Sequence, residues 1–145
     1  MDDCYPCRHN AATDLPPREA VVRTDHWRVV HAFNSSLAGW LVLVPLEHVA
    51  AFDELARDAN AELGSLVGRL SGALREVVGC EKTYVMQFSE APGFSHLHVH
   101  LVPRMPDQPD DRRGPAIFGY LGSDESQWLP TDEMDRVALA VRQLL

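Results

Sequence analysis

FSHLHVHLVPR, residues 94–104, sets three imidazoles at alternate positions, His96, His98 and His100, with Leu97, Val99 and Leu101 between and after them. A period of two is that of an extended strand, so the three histidines share one face and the three aliphatic residues share the other. Neighbouring rings on that face lie roughly 7 Å apart, twice the rise per strand residue. The aliphatic face reads as core. The imidazole face does not, because three such rings add little to packing and each needs hydrogen-bond partners where it is covered. The chain has only seven histidines in 145 residues, so three within five positions call for an explanation. Three readings are open: a solvated strand face, a site in which all three rings bind iron or copper, and nucleophilic chemistry at phosphorus. A catalytic metal usually draws a carboxylate or a distant histidine as well.

Working outward, TYVMQFS (83–89) alternates as a strand, APGFS makes a turn, and HLHVHLVP (96–103) is the strand that Pro103 ends. Further upstream, residues 20–23, 27–33 and 40–45 have extended character, with NSSLAG as the turn before WLVLVP. Between the two groups, Leu55, Ala59, Leu63, Leu66, Leu70, Ala73, Leu74 and Val77 recur at three and four. That spacing predicts a long helix over 53–78, stopped by Gly79. Gly64, Gly68 and Gly72 fall four apart on it; tight packing against the protein's own sheet is the expected use, a contact with a second copy the other. MPDQPDDRRGPA (105–116) reads as a surface loop. The C-terminal TDEMDRVALAVRQLL predicts a helix with Thr131 as N-cap and Met134, Val137, Val141 and Leu144 as its apolar stripe. The order βββ, α, ββ, α implies an α+β fold: a five-stranded, mainly antiparallel sheet, a long central helix and a C-terminal helix. Residues 1–145 suit a single domain, with 1–15 as an irregular arm.

Composition removes other classes. Hydrophobic residues at 46% and charged residues at 23% are those of a folded globular chain. No apolar run approaches the roughly 20 residues of a membrane span, and the start MDDCYPCRHN is too polar for a secretory signal, so the chain is expected in the cytoplasm. A formal charge of −8 disfavours a nucleic-acid partner, whose backbone calls for clustered Lys and Arg. A small anionic ligand needs only a few local donors and remains compatible.

The run His96-Leu97-His98-Val99-His100-Leu101-Val102 resembles the signature of the histidine triad (HIT) superfamily of nucleotide hydrolases and transferases, in which three histidines alternate with apolar residues. The upstream AFNSSLAGWLVLVPLEH (32–48) is similar to the family's strand and turn, with Asn34, Gly39 and a Pro-x-x-His ending at Pro45 and His48. The likeness covers about residues 20–104. It implies a nucleotidyl hydrolase or transferase acting on a nucleoside phosphoramidate, a dinucleoside polyphosphate or a related nucleotide, and a homodimer. His98 corresponds to the nucleophile that attacks the α-phosphorus, with His96 and His100 orienting it and donating to phosphate oxygens. A non-catalytic nucleotide-binding module of the same fold is the competing reading. Two departures stand out: Trp40 follows Gly39 where the better-known hydrolase branches carry a histidine, and only Gly93, Phe94 and Ser95 precede the triad where they have a longer loop. Gln87, Gly93 and Ser95 are the expected phosphate contacts, and Asn34 the expected ribose contact.

Three cysteines, Cys4, Cys7 and Cys80, are too few and too uneven for a disulfide framework. Cys80 reads as a small buried hydrophobe. Cys4-Tyr-Pro-Cys7 has the spacing of a zinc knuckle, although a lone CxxC is equally compatible with redox chemistry or chance. Several HIT branches resemble this chain in pairing an N-terminal CxxC with the Pro-x-x-His histidine and the first triad histidine. That likeness implies a structural zinc on Cys4, Cys7, His48 and His96. His9 is a spare ligand, and His26 and His31 read as strand polarity.

Overall fold

Valine, leucine and tryptophan fill the runs WRVVH and LVLVP, and these β-branched and bulky residues suit a pleated, half-buried surface. In the computed structural model, which describes residues 3–145, they form adjacent strands. Strands β1 (Val22–Arg23), β2 (Trp27–His31) and β3 (Leu41–Pro45) pair as an antiparallel meander. Strand β4 (Lys82–Met86) pairs with β5 (Val99–Arg104), and β5 inserts beside β3, so that the order is β1-β2-β3-β5-β4 with every pairing antiparallel. This is the expected α+β arrangement.

Register divides the sheet into two faces with different tasks. Val29, Leu43 and Val99 stand opposite one another, as do Leu41 and Leu101. This face packs beneath helices α2 (Arg57–Val78) and α3 (Thr131–Gln143) through Leu66, Leu70, Leu74, Val137 and Val141. Each such side chain, fully buried, contributes about 1.5–3 kcal/mol of transfer free energy. On the opposite face Val30, Val42, His100 and Met86 form a row across four strands. Ile117 and Phe118 cover one part of that face, packed with Trp40 and Val102. The remainder borders a cavity.

Two glycines have conformations the fold requires. Gly79 closes α2 at φ +73° and donates its N–H to the Arg75 carbonyl, the usual left-handed helix stop. Gly39 turns the chain into β3 at φ +89°, where an added Cβ would lie 3.1 Å from Leu74 and 3.2 Å from Val78.

Several expectations need correction. The arm predicted as irregular over 1–15, whose first two residues lie outside the described residues, contains helix α1 (Tyr5–Ala11), started by Pro6 in its first turn. The long helix begins at Arg57, after a separate 3-10 turn at Phe52–Glu54. Thr131 is the first residue of α3 rather than its cap, because the preceding Pro130 occupies the cap position. Gly64, Gly68 and Gly72 do not pack against the sheet, since an added Cβ at each meets nothing within 4 Å. The loop at 105–116 includes 3-10 turns and buries Gln108, whose amide bonds the Arg112 carbonyl and the Tyr120 hydroxyl. Among the described residues no helix is long and apolar enough to cross a membrane.

Candidate functional site

The triad does not act as one row. Only His100 lies within β5, while His96 and His98 belong to the segment leading into it. Backbone hydrogen bonding guides that segment elsewhere: Leu97 N–H bonds the Val49 carbonyl at 2.8 Å. His98 and His100 line the cavity, whereas His96 is buried against the N-terminal helix.

Cys4 stands at the N-cap of α1 and Cys7 three residues on, a spacing that puts both sulfurs on one side of the helix. They meet His48 and His96. Cys4 Sγ is 3.4 Å from His96 Nδ1, Cys7 Sγ is 3.1 Å from His48 Nδ1 and 3.5 Å from His96 Nδ1, and the two Nδ1 atoms are 3.1 Å apart. The edges of a tetrahedron with zinc at its centre span about 3.3–3.8 Å for zinc–nitrogen and zinc–sulfur bonds of normal length; the Cys4–His96 and Cys7–His96 separations fall within that range and the two that involve His48 Nδ1 fall just short of it. The second nitrogen of His96 supports the same assignment. His96 Nε2 lies 2.9 Å from the Pro45 carbonyl, which can only accept, so the proton is on Nε2 and the lone pair on Nδ1 faces the sulfurs. Both nitrogens of His96 are thereby engaged, and the ring has none left to donate to a phosphate, contrary to that part of its expected role. Burial, chiefly, holds the His96 pKa below its ordinary value, and His48 and His98 act in the same direction. Burial also pushes the Cys7 thiol up, with Cys4 adding to the effect. Soft thiolates and neutral imidazoles in this array suit zinc. His9 stays apart, with Nδ1 on the Tyr5 carbonyl and its ring 4.1 Å from that of Tyr5.

The cavity has a volume of about 360 Å³. Its walls differ from end to end. Tyr5, Phe33 and Phe94 make an aromatic cluster, with ring centroids 6.1 Å and 5.8 Å from Tyr5. Ser89, His98 and His100 supply polar groups elsewhere on the wall, and Asn34 also lines it. Gln87, Gly93 and Ser95, expected as phosphate contacts, are not among the lining residues. Gln87 instead donates to Ser89 Oγ at 2.9 Å, and Ser95 is exposed.

The hydrogen bonds around His98 determine its tautomer. Its Nδ1 is 2.9 Å from the carbonyl of His96, so Nδ1 carries a proton and, in the neutral ring, Nε2 is the nitrogen with the lone pair. Its backbone N–H donates to Ser89 Oγ at 3.1 Å. Ser89 is buried and adopts φ +58°, a conformation rare for a residue with a side chain. Such a departure from ordinary backbone geometry beside a cavity is characteristic of functional segments. Sequence reading missed Ser89, because nothing in TYVMQFS distinguishes a serine that leaves the strand from one that continues it.

His100 sits in a drier setting. Its Nδ1 accepts from the Trp40 indole N–H at 3.1 Å, and its ring lies 5.1 Å from that of His98 and 5.2 Å from that of Phe118. Burial, with a smaller effect from His98, pushes its pKa down to about 4. The cavity wall also holds Arg28, buried to 1% exposure and bonded to the Glu19 carbonyl at 2.7 Å and to Asn10 Oδ1 at 2.8 Å. Burial lowers the Arg28 pKa, which Glu19 partly offsets. His31, read as strand polarity, is buried: Gly39 N–H donates to its Nε2 at 3.0 Å and its Nδ1 meets the Ala32 carbonyl at 3.0 Å.

This arrangement of alternating histidines beside a cavity agrees with the HIT domain model, which matches residues 16–107. The chain belongs to the HIT domain family. No curated protein sequence matches it. Solved HIT structures do. A histidine triad protein from Sinorhizobium meliloti superposes with a TM-score of 0.71 at 20% identity, covering 87% of this chain and 88% of that one. A zinc-bound histidine triad family protein from Mycobacterium smegmatis gives 0.67 at 18% identity, over 97% and 94%. A hypothetical histidine triad nucleotide-binding protein from Sulfolobus tokodaii gives 0.69 at 16% identity, over 99% and 91%. At these identities the likeness is one of fold.

Proposed function

We propose that this HIT protein is a nucleotidyl hydrolase or transferase that cleaves at the α-phosphate of a nucleoside phosphoramidate, dinucleoside polyphosphate or related nucleotide. The observation that carries the reading is the tautomer of His98: its Nδ1 proton is given to the His96 carbonyl, which leaves Nε2 as the nucleophilic nitrogen of the neutral ring, and that ring is on the cavity wall. A nucleophile needs that lone pair and a fixed orientation. The aromatic cluster of Tyr5, Phe33 and Phe94 offers faces on which a base can stack. The description of the Sulfolobus tokodaii neighbour as nucleotide-binding supports the same ligand class.

In the first half-reaction Nε2 of His98 attacks the α-phosphorus; a phosphorus–nitrogen bond forms as the bond to the leaving group breaks, and an amine leaving group takes up a proton from solvent. In the second, water or another acceptor attacks phosphorus and gives up its proton to solvent, and the phosphorus–nitrogen bond breaks to release the nucleotide and restore Nε2. The carbonyl of His96 holds the His98 ring throughout, and Ser89 Oγ fixes its backbone. Asn34, which lines the cavity, is assigned to the ribose hydroxyls. His100 donates to a phosphoryl oxygen. Zinc on Cys4, Cys7, His48 and His96 supplies structure: it ties α1, and with it Tyr5, to the cavity wall. The zinc-bound Mycobacterium smegmatis neighbour supports that choice of metal.

The test is turnover of adenosine phosphoramidate, diadenosine polyphosphates and nucleotide sugars by the wild type and by His98→Ala. Release of nucleotide monophosphate by the wild type, with retained binding but no turnover in the variant, is the expected result. Equal rates in the two proteins would refute the role of His98. Binding without turnover in both would favour a non-catalytic nucleotide-binding module.

A further inference from the structure

Trp40 occupies a position with no evident need for a polar contact. It is fully buried and packs edge-on against Phe118, with centroids 5.5 Å apart, in the second apolar cluster of the fold. Yet its indole N–H reaches out of that cluster to Nδ1 of His100, at 3.1 Å, with the two rings perpendicular. An indole can only donate. His100 Nδ1 must therefore be the acceptor, and a neutral ring has one remaining proton, on Nε2. A doubly protonated ring would point an N–H at the indole N–H and forfeit the bond.

The neighbouring ring has the opposite arrangement. The His96 carbonyl can only accept, so the neutral His98 ring carries its proton on Nδ1 and its lone pair on Nε2. Two adjacent imidazoles on the cavity wall, 5.1 Å apart, are thus held in opposite tautomers by two one-way partners.

We infer that Trp40 is a positioning residue which, through its indole N–H, holds His100 as a neutral Nε2–H donor beside the His98 Nε2 lone pair. His100 then meets a phosphoryl oxygen with one neutral hydrogen bond rather than with a full positive charge, and it is not the source of a proton for the leaving group. That consequence rests on the reading of the cavity as a nucleotidyl-transfer site; the tautomer assignment does not.

The experiment combines nitrogen NMR and kinetics on the full-length, zinc-loaded protein. With histidine labelled at both ring nitrogens, His100 in the wild type is expected to show a pyridine-type Nδ1 and a protonated, pyrrole-type Nε2 near neutral pH. In Trp40→Phe, which keeps an aromatic ring but loses the donor, both nitrogens move toward averaged values. On the best nucleotide substrate kcat falls about tenfold, the equivalent of one hydrogen bond, with KM little changed. Should Trp40→Phe fail to fold, the benzothiophene analogue of tryptophan, introduced at position 40 alone, replaces N–H by sulfur at nearly constant size. A protonated Nδ1 in the wild type, or a tautomer unchanged once the donor is gone, overturns the inference. A shifted tautomer with unchanged kcat overturns its catalytic consequence. Absence of turnover in the wild type counts against the nucleotidyl-transfer reading, while the NMR result still decides the role of Trp40.

Discussion

Removing zinc should melt the N-terminal helix and leave the sheet standing. Helix α1 has seven residues and buries only Pro6, and helices this short do not persist on their own. Besides the Cys/His cluster and the ring contacts of Tyr5, the contacts that hold it include hydrogen bonds at Asn10: its side chain donates to the Pro45 carbonyl and accepts from Arg28, and its carbonyl accepts from Arg23. One neutral bond and two from guanidinium groups contribute about 4–7 kcal/mol net. Ordering seven residues costs about 7–14 kcal/mol in backbone entropy. The shortfall, about 5 kcal/mol at the middle of both ranges, is within the 10 kcal/mol or more that a structural zinc supplies. On treatment with a chelator, amide hydrogen exchange should therefore accelerate across residues 4–11 while β2, β3 and β5 stay protected. His48→Ala, which removes one ligand from the half of the cluster outside the arm, should do the same at limiting zinc. Elemental analysis verifies metal content at each step. Unchanged protection of residues 4–11 in protein shown to be free of metal would refute the reasoning.

Acid should destabilise the fold through His100. Its pKa is 6.5 in a model peptide and about 4 in place, so the unfolded chain takes up its proton first as pH drops. The stability associated with the neutral ring is fully present above about pH 6.5 and is lost progressively as pH falls to about 4. The total is about 3 kcal/mol, read from denaturant titrations of wild type and His100→Phe, the latter lacking this component of the pH dependence. Ser89→Ala removes the acceptor of the His98 N–H in a buried site; kcat should fall about tenfold and stability by about 1–3 kcal/mol, and a variant with wild-type kcat would dismiss Ser89 as a support of the nucleophile. Gly39→Ala should lose about 2 kcal/mol or more, because the new methyl meets Leu74 and Val78 from a backbone at φ +89°; an unchanged melting temperature would contradict this.

Periodicity was sufficient for the sheet and the two long helices, because alternating and three-to-four spacings follow directly from which side chains must be covered. The likeness to HIT proteins brought Cys4, Cys7, His48 and His96 together across more than ninety residues, and the structure brings the same four within 4.8 Å. Other features depend on contacts that no local pattern records. His96 and His98 alternate in sequence, yet the chain between β4 and β5 leaves the ladder, sending one ring to the cysteines and the other to the cavity. Trp40 reads as a missing histidine until its indole is seen on His100. Ser89 looks like the end of a strand, and only its left-handed backbone beneath the His98 N–H reveals what it supports. The glycine series on α2 shows the converse: a regular pattern whose expected packing against the sheet is absent.

The most direct test is to quench the protein within milliseconds of mixing it with a labelled nucleoside phosphoramidate and to map the modified peptide by mass spectrometry under conditions that preserve phosphorus–nitrogen bonds. One nucleotidyl group on His98, formed and lost at rates that match turnover, is the result predicted. Turnover that proceeds with the label on another residue, or with no protein-bound label at any time, would contradict the account.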